Sequence, residues 1–147
     1  ASCGFIGSSV PKVDAESALV RYRKLHTAVS GSLISSAHDL SDGGLAVAAA
    51  ESAFAGNVGA EIDLGMVNCD PGMSDTEILY SESQSRILIS VRPEAAEQVE
   101  SLFGSDARRI GTAIPEKRLI IRSKNNGILI DRGLDSLKRS WKAPLDF

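Results

Sequence analysis

The chain has 147 residues, 43% hydrophobic and 24% charged, with a formal net charge of −3. That length suits one domain with one core, and the mild acidity excludes a broad nucleic-acid footprint. No apolar run reaches the about 18 residues that span a membrane, so neither nucleic acid nor a bilayer is an expected partner.

Residues 1–13, "ASCGFIGSSVPKV", read as a linker remnant, with one domain over 14–147. The start lacks the basic region and long apolar run of a signal peptide. It also lacks Met, so a piece of a longer chain is expected. Cys3 and Cys69 share no metal-ligand spacing, and free thiols in a reducing cytoplasm are the expectation.

Asp14 is a plausible N-cap, with Ser17 where a capping box would place Glu. Leu19, Tyr22, Leu25, His26 and Val29 recur at helical spacing over about 15–29, and Gly31 stops that helix. His26, among apolar neighbours, reads as packing. "SLISSAHDL" predicts a strand ending near His38. "GLAVAAAESAFA" predicts a helix over 44–55, stopped by Gly56-Asn57. "VGAEIDL" predicts a strand, "GMVNCDPGMSD" a loop, and "TEILYSES" either a short helix or a turn. "SRILISVRP" is the clearest strand, with Ile87, Ile89 and Val91 on one face. Pro93 suits the first turn of the next helix, whose stripe is Ala95, Ala96, Val99, Leu102 and Phe103, and Gly104 ends it. "ARRIGTAI" predicts a strand. "RLIIRS" and "GILIDR" flank Lys124-Asn125-Asn126-Gly127, whose Asn-Gly pair is a hairpin signal because both residues accept positive φ. "LDSLKRSW" closes as a short helix. The alternation predicts an α/β chain of the α+β type: a mixed sheet with helices packed on it in layers, in one domain.

The run "SAHDLSDGGLAVAAAESAFAG" puts two acids and two glycines before an apolar helix. Free amides at a helix N-terminus attract anions, and glycines permit close approach. Ser41, Asp42, Gly43 and Gly44 are therefore candidates for a nucleotide or phosphate site. Asp39 and Asp42 would repel a bare phosphate. Either Asp42 caps the helix, or Asp39 and Asp42 hold Mg²⁺ beside phosphate oxygens. Glu51 is the lone charge of the Ala-rich helix. It is either buried, with Arg86 as a candidate partner, or on an exposed rim. His38 is either a general base by its ordinary pKa or a structural residue. Ser81, Glu82, Ser83, Gln84 and Arg86 concentrate hydrogen-bonding groups before a strand, as a ligand site or as a polar turn.

"AHDLSDGGLAVAAAESAFAGNVGAEIDL" followed by "LYSESQSRILISV" resembles the phosphoribosylformylglycinamidine synthases. More narrowly, it is similar to the C-terminal domain of the aminoimidazole ribonucleotide synthetase superfamily. The likeness runs from "VPKVD" to "LKRSWKAPL". It implies the last C-terminal-type domain of an ATP-dependent ligase of purine biosynthesis that holds two tandem pairs of N-terminal and C-terminal domains. That enzyme converts formylglycinamide ribonucleotide, ATP and glutamine-derived ammonia to formylglycinamidine ribonucleotide, ADP and phosphate. It implies ATP and Mg²⁺ as cofactors of the whole enzyme, none being needed for this piece to fold. It implies N-terminal domains of the same synthetase as partners, with a glutaminase subunit and a small accessory subunit, in the cytoplasm. It also implies that "WKAPLDF" is the terminus of the smaller synthetase form and that the piece alone is inactive, because the proposed catalytic His and the glutaminase triad lie elsewhere. No catalytic residue is assigned to this chain. By the same likeness His38, Ser81, Glu82, Ser83, Gln84 and Arg86 face substrate or an auxiliary nucleotide. Alternatives are another ATP-using superfamily member, of the aminoimidazole ribonucleotide, selenophosphate or hydrogenase-maturation type, or a stand-alone nucleotide-binding or assembly module.

Overall fold

The computed structural model describes residues 12–145. Most of the linker predicted over 1–13, Cys3, and the last two residues lie outside that range. Helix α1 spans Ala15–Ser30, and Asp14 caps it by accepting the Ser17 amide at 3.1 Å and the Ser17 hydroxyl at 2.5 Å. Ser17 thus answers the cap with its own hydroxyl. The inward face of α1 corrects the expectation. Leu19, Tyr22 and Val29 stand exposed, and so does His26. The body side is Ala18 and Ala28, with Leu25 beside them. Small residues let α1 lie close to the helix it packs on, and of the expected apolar stripe only Leu25 turns inward.

Strand β1 (Ile34–Asp39) pairs antiparallel with β3 (Ile87–Val91), placing His38 opposite Leu88 and Asp39 opposite Ile87. This two-stranded ladder stands apart from a four-stranded mixed sheet of β2 (Gly59–Asp63), β4 (Gly111–Ile114), β5 (Arg118–Arg122) and β6 (Ile128–Gly133), in the order β4-β2-β5-β6. Strands β2 and β5 run parallel, and the other pairs are antiparallel. The mixed sheet is as expected; the separate ladder is an addition to it.

Helix α2 (Gly44–Gly56) is the centre of the main core. Leu45, Ala46, Ala48, Ala49 and Ala53 are buried, and they pack with Ile62, Leu64, Ile78, Leu119 and Ile121. Asn57, at φ +52, ends the helix in the left-handed conformation. The ambiguous "TEILYSES" is helix α3 (Asp75–Tyr80). A complete capping box decides it: the Ser74 side chain takes the Glu77 amide, and Glu77 returns to the Ser74 amide. Pro93 opens a 3₁₀ turn, Pro93–Ala95, that leads into α4 (Ala96–Phe103). Helix α4 faces α1, with Val99 and Phe103 around Ala28 in a second, smaller core.

The β5–β6 hairpin has a three-residue loop. Asn126 takes φ +67, its amide bonds the Ser123 carbonyl, and the Ser123 amide bonds the Gly127 carbonyl. The expected hairpin is present, but only Asn126 of the Asn-Gly pair is left-handed. Helix α5 (Leu134–Lys142) closes the described chain and docks on α2.

Candidate functional site

The turn Asp39–Gly44 and the segment Ser81–Arg86, about forty residues apart in sequence, meet in space. The Leu40 amide donates to the Arg86 carbonyl at 3.0 Å. The Gly43 amide donates to Glu82 Oε1 at 2.8 Å. Gly44, at φ +60, lies so close to the second segment that a Cβ would fall 2.7 Å from the Leu79 carbonyl oxygen and 2.8 Å from that of Ser81. Gly44 thus serves the approach of one backbone to another. Gly43, at φ +82, is the N-cap of α2 and supplies no side chain.

The acid that closes this helix end is Glu82, whereas Asp42 makes no capping bond, which corrects that expectation. A helix N-terminus favours a nearby carboxylate, and Glu82 delivers it from another segment. Asp39 and Asp42 are both exposed. Among the described residues, no group of three or more His, Cys, Asp or Glu side chains is arranged to hold a metal ion. Ser41, Ser83 and Gln84 are also exposed at this edge.

Arg86 does not meet Glu51, contrary to expectation. Its Nη1 donates to Ser81 Oγ at 2.7 Å and to the Ser81 carbonyl at 3.1 Å. Arg86 is therefore a brace across its own loop. Partial burial pushes the pKa of its guanidinium down, opposed by Cys69. Ser85, at φ +64, places its hydroxyl 3.2 Å from Tyr22 Oη, so the outward face of α1 borders this segment.

Glu51 is partly buried, and its partners are His38 and Trp141. Its Oε2 lies 2.7 Å from His38 Nε2, and its Oε1 accepts the Trp141 indole N–H at 2.5 Å. The other His38 nitrogen, Nδ1, is 2.8 Å from the Asp39 carbonyl oxygen. Both ring nitrogens thus face acceptors, and an imidazolium, with two N–H groups, satisfies both. Burial of the ring opposes protonation. The Asp39 carbonyl, the hydrogen bond to Glu51 and the charges of Glu51 and Asp39 outweigh that, and the pKa stands above the ordinary 6.5. With both nitrogens engaged inside the protein, the structural reading of His38 fits better than the general-base one. Trp141 escaped the sequence reading entirely. Its signal was faint: one aromatic among the charges of "LKRSWK", whose ring lies tilted against Phe54 with centroids 5.7 Å apart.

A ladder and an apolar helix joined by a glycine turn, with a polar loop laid across it, define a domain of a known class. The chain belongs to the family "AIR synthase related protein, C-terminal domain", whose model matches residues 3–124. It is 38% identical over 120 residues to phosphoribosylformylglycinamidine synthase subunit PurL of Lactobacillus helveticus. That match covers 82% of this chain and 15% of the relative, so the chain spans a small part of the protein it resembles. Phosphoribosylformylglycinamidine synthase II of Thermotoga maritima superposes with TM-score 0.77 at 25% identity, over 88% of this chain and 22% of that one. A T. maritima PurL complexed with ATP gives TM-score 0.72 at 25% identity, over 80% of this chain and 21% of that one.

Proposed function

We propose that the chain supplies one C-terminal-type domain of a phosphoribosylformylglycinamidine synthase. The whole enzyme would convert formylglycinamide ribonucleotide, ATP and glutamine-derived ammonia to formylglycinamidine ribonucleotide, ADP and phosphate. The observation that carries this reading is the 38% identity to a PurL subunit across 82% of the chain. The meeting of Asp39–Gly44 with Ser81–Arg86 supports it, because the two most distinctive motifs then share one edge.

Under this reading a nucleotide with Mg²⁺ would meet the turn in a specific way. The Gly43 amide is already taken by Glu82, so a phosphate reaching it must displace that carboxylate. Asp39 and Asp42 are exposed and acidic. They would hold Mg²⁺ as its protein ligands, with phosphate oxygens completing the shell. The ion would supply the positive charge that lets a polyphosphate approach an acidic turn. Ser83 and Gln84, exposed on the facing segment, would contact substrate or an auxiliary nucleotide. Arg86 and Ser81 would hold that segment in shape. The partners under this reading are N-terminal domains of the same synthetase, a glutaminase subunit and a small accessory subunit, in the cytoplasm. No helix among the described residues is long and apolar enough to cross a membrane.

The test is a chimera. The matched segment of the L. helveticus subunit is replaced by this chain, and ATP- and ammonia-dependent formation of formylglycinamidine ribonucleotide is measured. Turnover is the expected result. A soluble chimera that binds ATP and shows no turnover overturns the reading.

A further inference from the structure

We infer that Glu51 is a positioning residue for the Asp39–Gly44 turn, itself set in place by the indole of Trp141 on α5. Four groups form one continuous chain of hydrogen bonds. The Trp141 N–H donates to Glu51 Oε1, Glu51 Oε2 meets His38 Nε2, and His38 Nδ1 meets the carbonyl oxygen of Asp39, the first residue of the turn. The links join positions 90 residues apart in sequence. Trp141 is 48% exposed, and its ring packs on Phe54 at the edge of the main core, a contact that leaves the direction of its N–H to Glu51. Glu51 sits on a helix of alanines, where a carboxylate is costly unless both oxygens are used, and both are.

The geometry gives each atom a separate duty. A carboxylate with only one partner can swing about its terminal torsion. Here the indole holds one oxygen, so the other is presented to His38 in a fixed direction. The ring, held at Nε2, then directs Nδ1 at the Asp39 carbonyl. That carbonyl belongs to the peptide between Asp39 and Leu40, and the Leu40 amide of the same peptide bonds Arg86 on the facing segment. The orientation of one peptide therefore depends on helix α5 from one side and on the Ser81–Arg86 segment from the other. Helix α5 carries no residue of the candidate site, yet it sets the attitude of the turn. The functional weight of this inference rests on the ligase reading of the turn; its geometry does not.

The experiment is amide hydrogen exchange in the 147-residue chain without ligand, read at Leu40, Gly43 and Gly44 relative to Ile121 in the centre of the four-stranded sheet. Trp141→Phe keeps a ring against Phe54 and deletes the N–H. Glu51→Ala removes both links. Each is expected to raise relative exchange at the turn by about three- to tenfold, the range for losing one hydrogen bond. Glu51→Gln is the rescue variant. Its amide oxygen accepts the indole N–H, its amide NH₂ donates to His38 Nε2, and His38 Nδ1–H still donates to Asp39. Exchange in Glu51→Gln is expected to stay close to that of the parent chain. Unchanged exchange at the turn in both Trp141→Phe and Glu51→Ala overturns the inference, and so does Glu51→Gln behaving like Glu51→Ala. Because no ligand is present, this arm fails or succeeds independently of the chimera, whose silence would count against the ligase reading alone.

Discussion

Glu82 Oε1 accepts the Gly43 amide at 2.8 Å, so an acid from the loop after α3 closes the N-terminus of α2. The bond performs from a distance what the Glu of a capping box performs locally. It also puts an anion where the proposed function would seat a phosphate.

Glu82→Ala is therefore expected to act in two directions. Stability should fall by about 0.5–1 kcal/mol, as for loss of a helix cap. The freed amide should then bind nucleotide phosphate more readily. The parent chain is expected to bind ATP only near millimolar, about 4 kcal/mol, and only with Mg²⁺. Amide NMR titration with and without Mg²⁺ checks both points. Amides 41–45 that stay still at about 10 mM ATP, well above that dissociation constant, would make the turn a cap and nothing more. Gly43 is a poor probe for this purpose, because a Cβ there would fall 2.2 Å from Val47 Cγ2 at φ +82. Any replacement disrupts the turn whether or not it binds.

Gly44→Ala should be among the costliest single-methyl additions in the chain. The left-handed backbone costs about 1–2 kcal/mol for an L-residue. The clash with the Leu79 and Ser81 carbonyls adds about 1–3 kcal/mol of overpacking. Urea unfolding should show a midpoint lowered accordingly. A midpoint like that of the parent chain would mean that the two segments are not in contact.

Ala49→Asp places an unpaired carboxylate in the main core, where Ala49 is 2% exposed. The expected cost is about 3–5 kcal/mol, a large part of a small domain's stability. Loss of cooperative thermal melting is the anticipated readout. A soluble variant with a nearly unchanged midpoint would show that α2 is not central.

His38 makes stability depend on pH near neutrality. Its folded pKa stands above the ordinary 6.5, raised by the Asp39 carbonyl and by Glu51 against the opposing effect of burial. The folded state therefore binds the proton more tightly than the unfolded chain. The stabilisation is fully present below about pH 6.5 and is lost as pH rises through the folded pKa. The facing charges are Glu51 on α2 and Asp39 on β1 itself. NMR titration of the His38 ring should give a midpoint above 6.5; a midpoint at or below it would contradict the arrangement of two acceptors.

The chain alone should release no ADP from ATP, Mg²⁺, ammonia and formylglycinamide ribonucleotide, because it carries no residue read as catalytic. Turnover near about 10 per second, a median enzyme rate, would show that it holds a complete active site.

Local chemistry made several elements legible in advance. Asp14 before an apolar-periodic run and Gly56-Asn57 after an alanine run act within one helical turn, so their partners are set by spacing. The long alternation of elements likewise made a mixed sheet with packed helices legible, and the motifs around Asp39–Gly44 and Ser81–Arg86 made the family legible. Periodicity names the residues that share a face of a helix but not the neighbour that face will meet. That is why Leu19, Tyr22 and Val29 turned outward while Ala18 and Ala28 took the interior of α1. Nor does spacing reveal which acid reaches Gly43, or that Glu51 answers His38 and Trp141 instead of Arg86. Those pairings join segments between 13 and 90 residues apart. A hydrogen bond depends on two atoms coming within about 3 Å at a suitable angle, and only the packing of α2 between the ladder, the sheet and α5 brings them there.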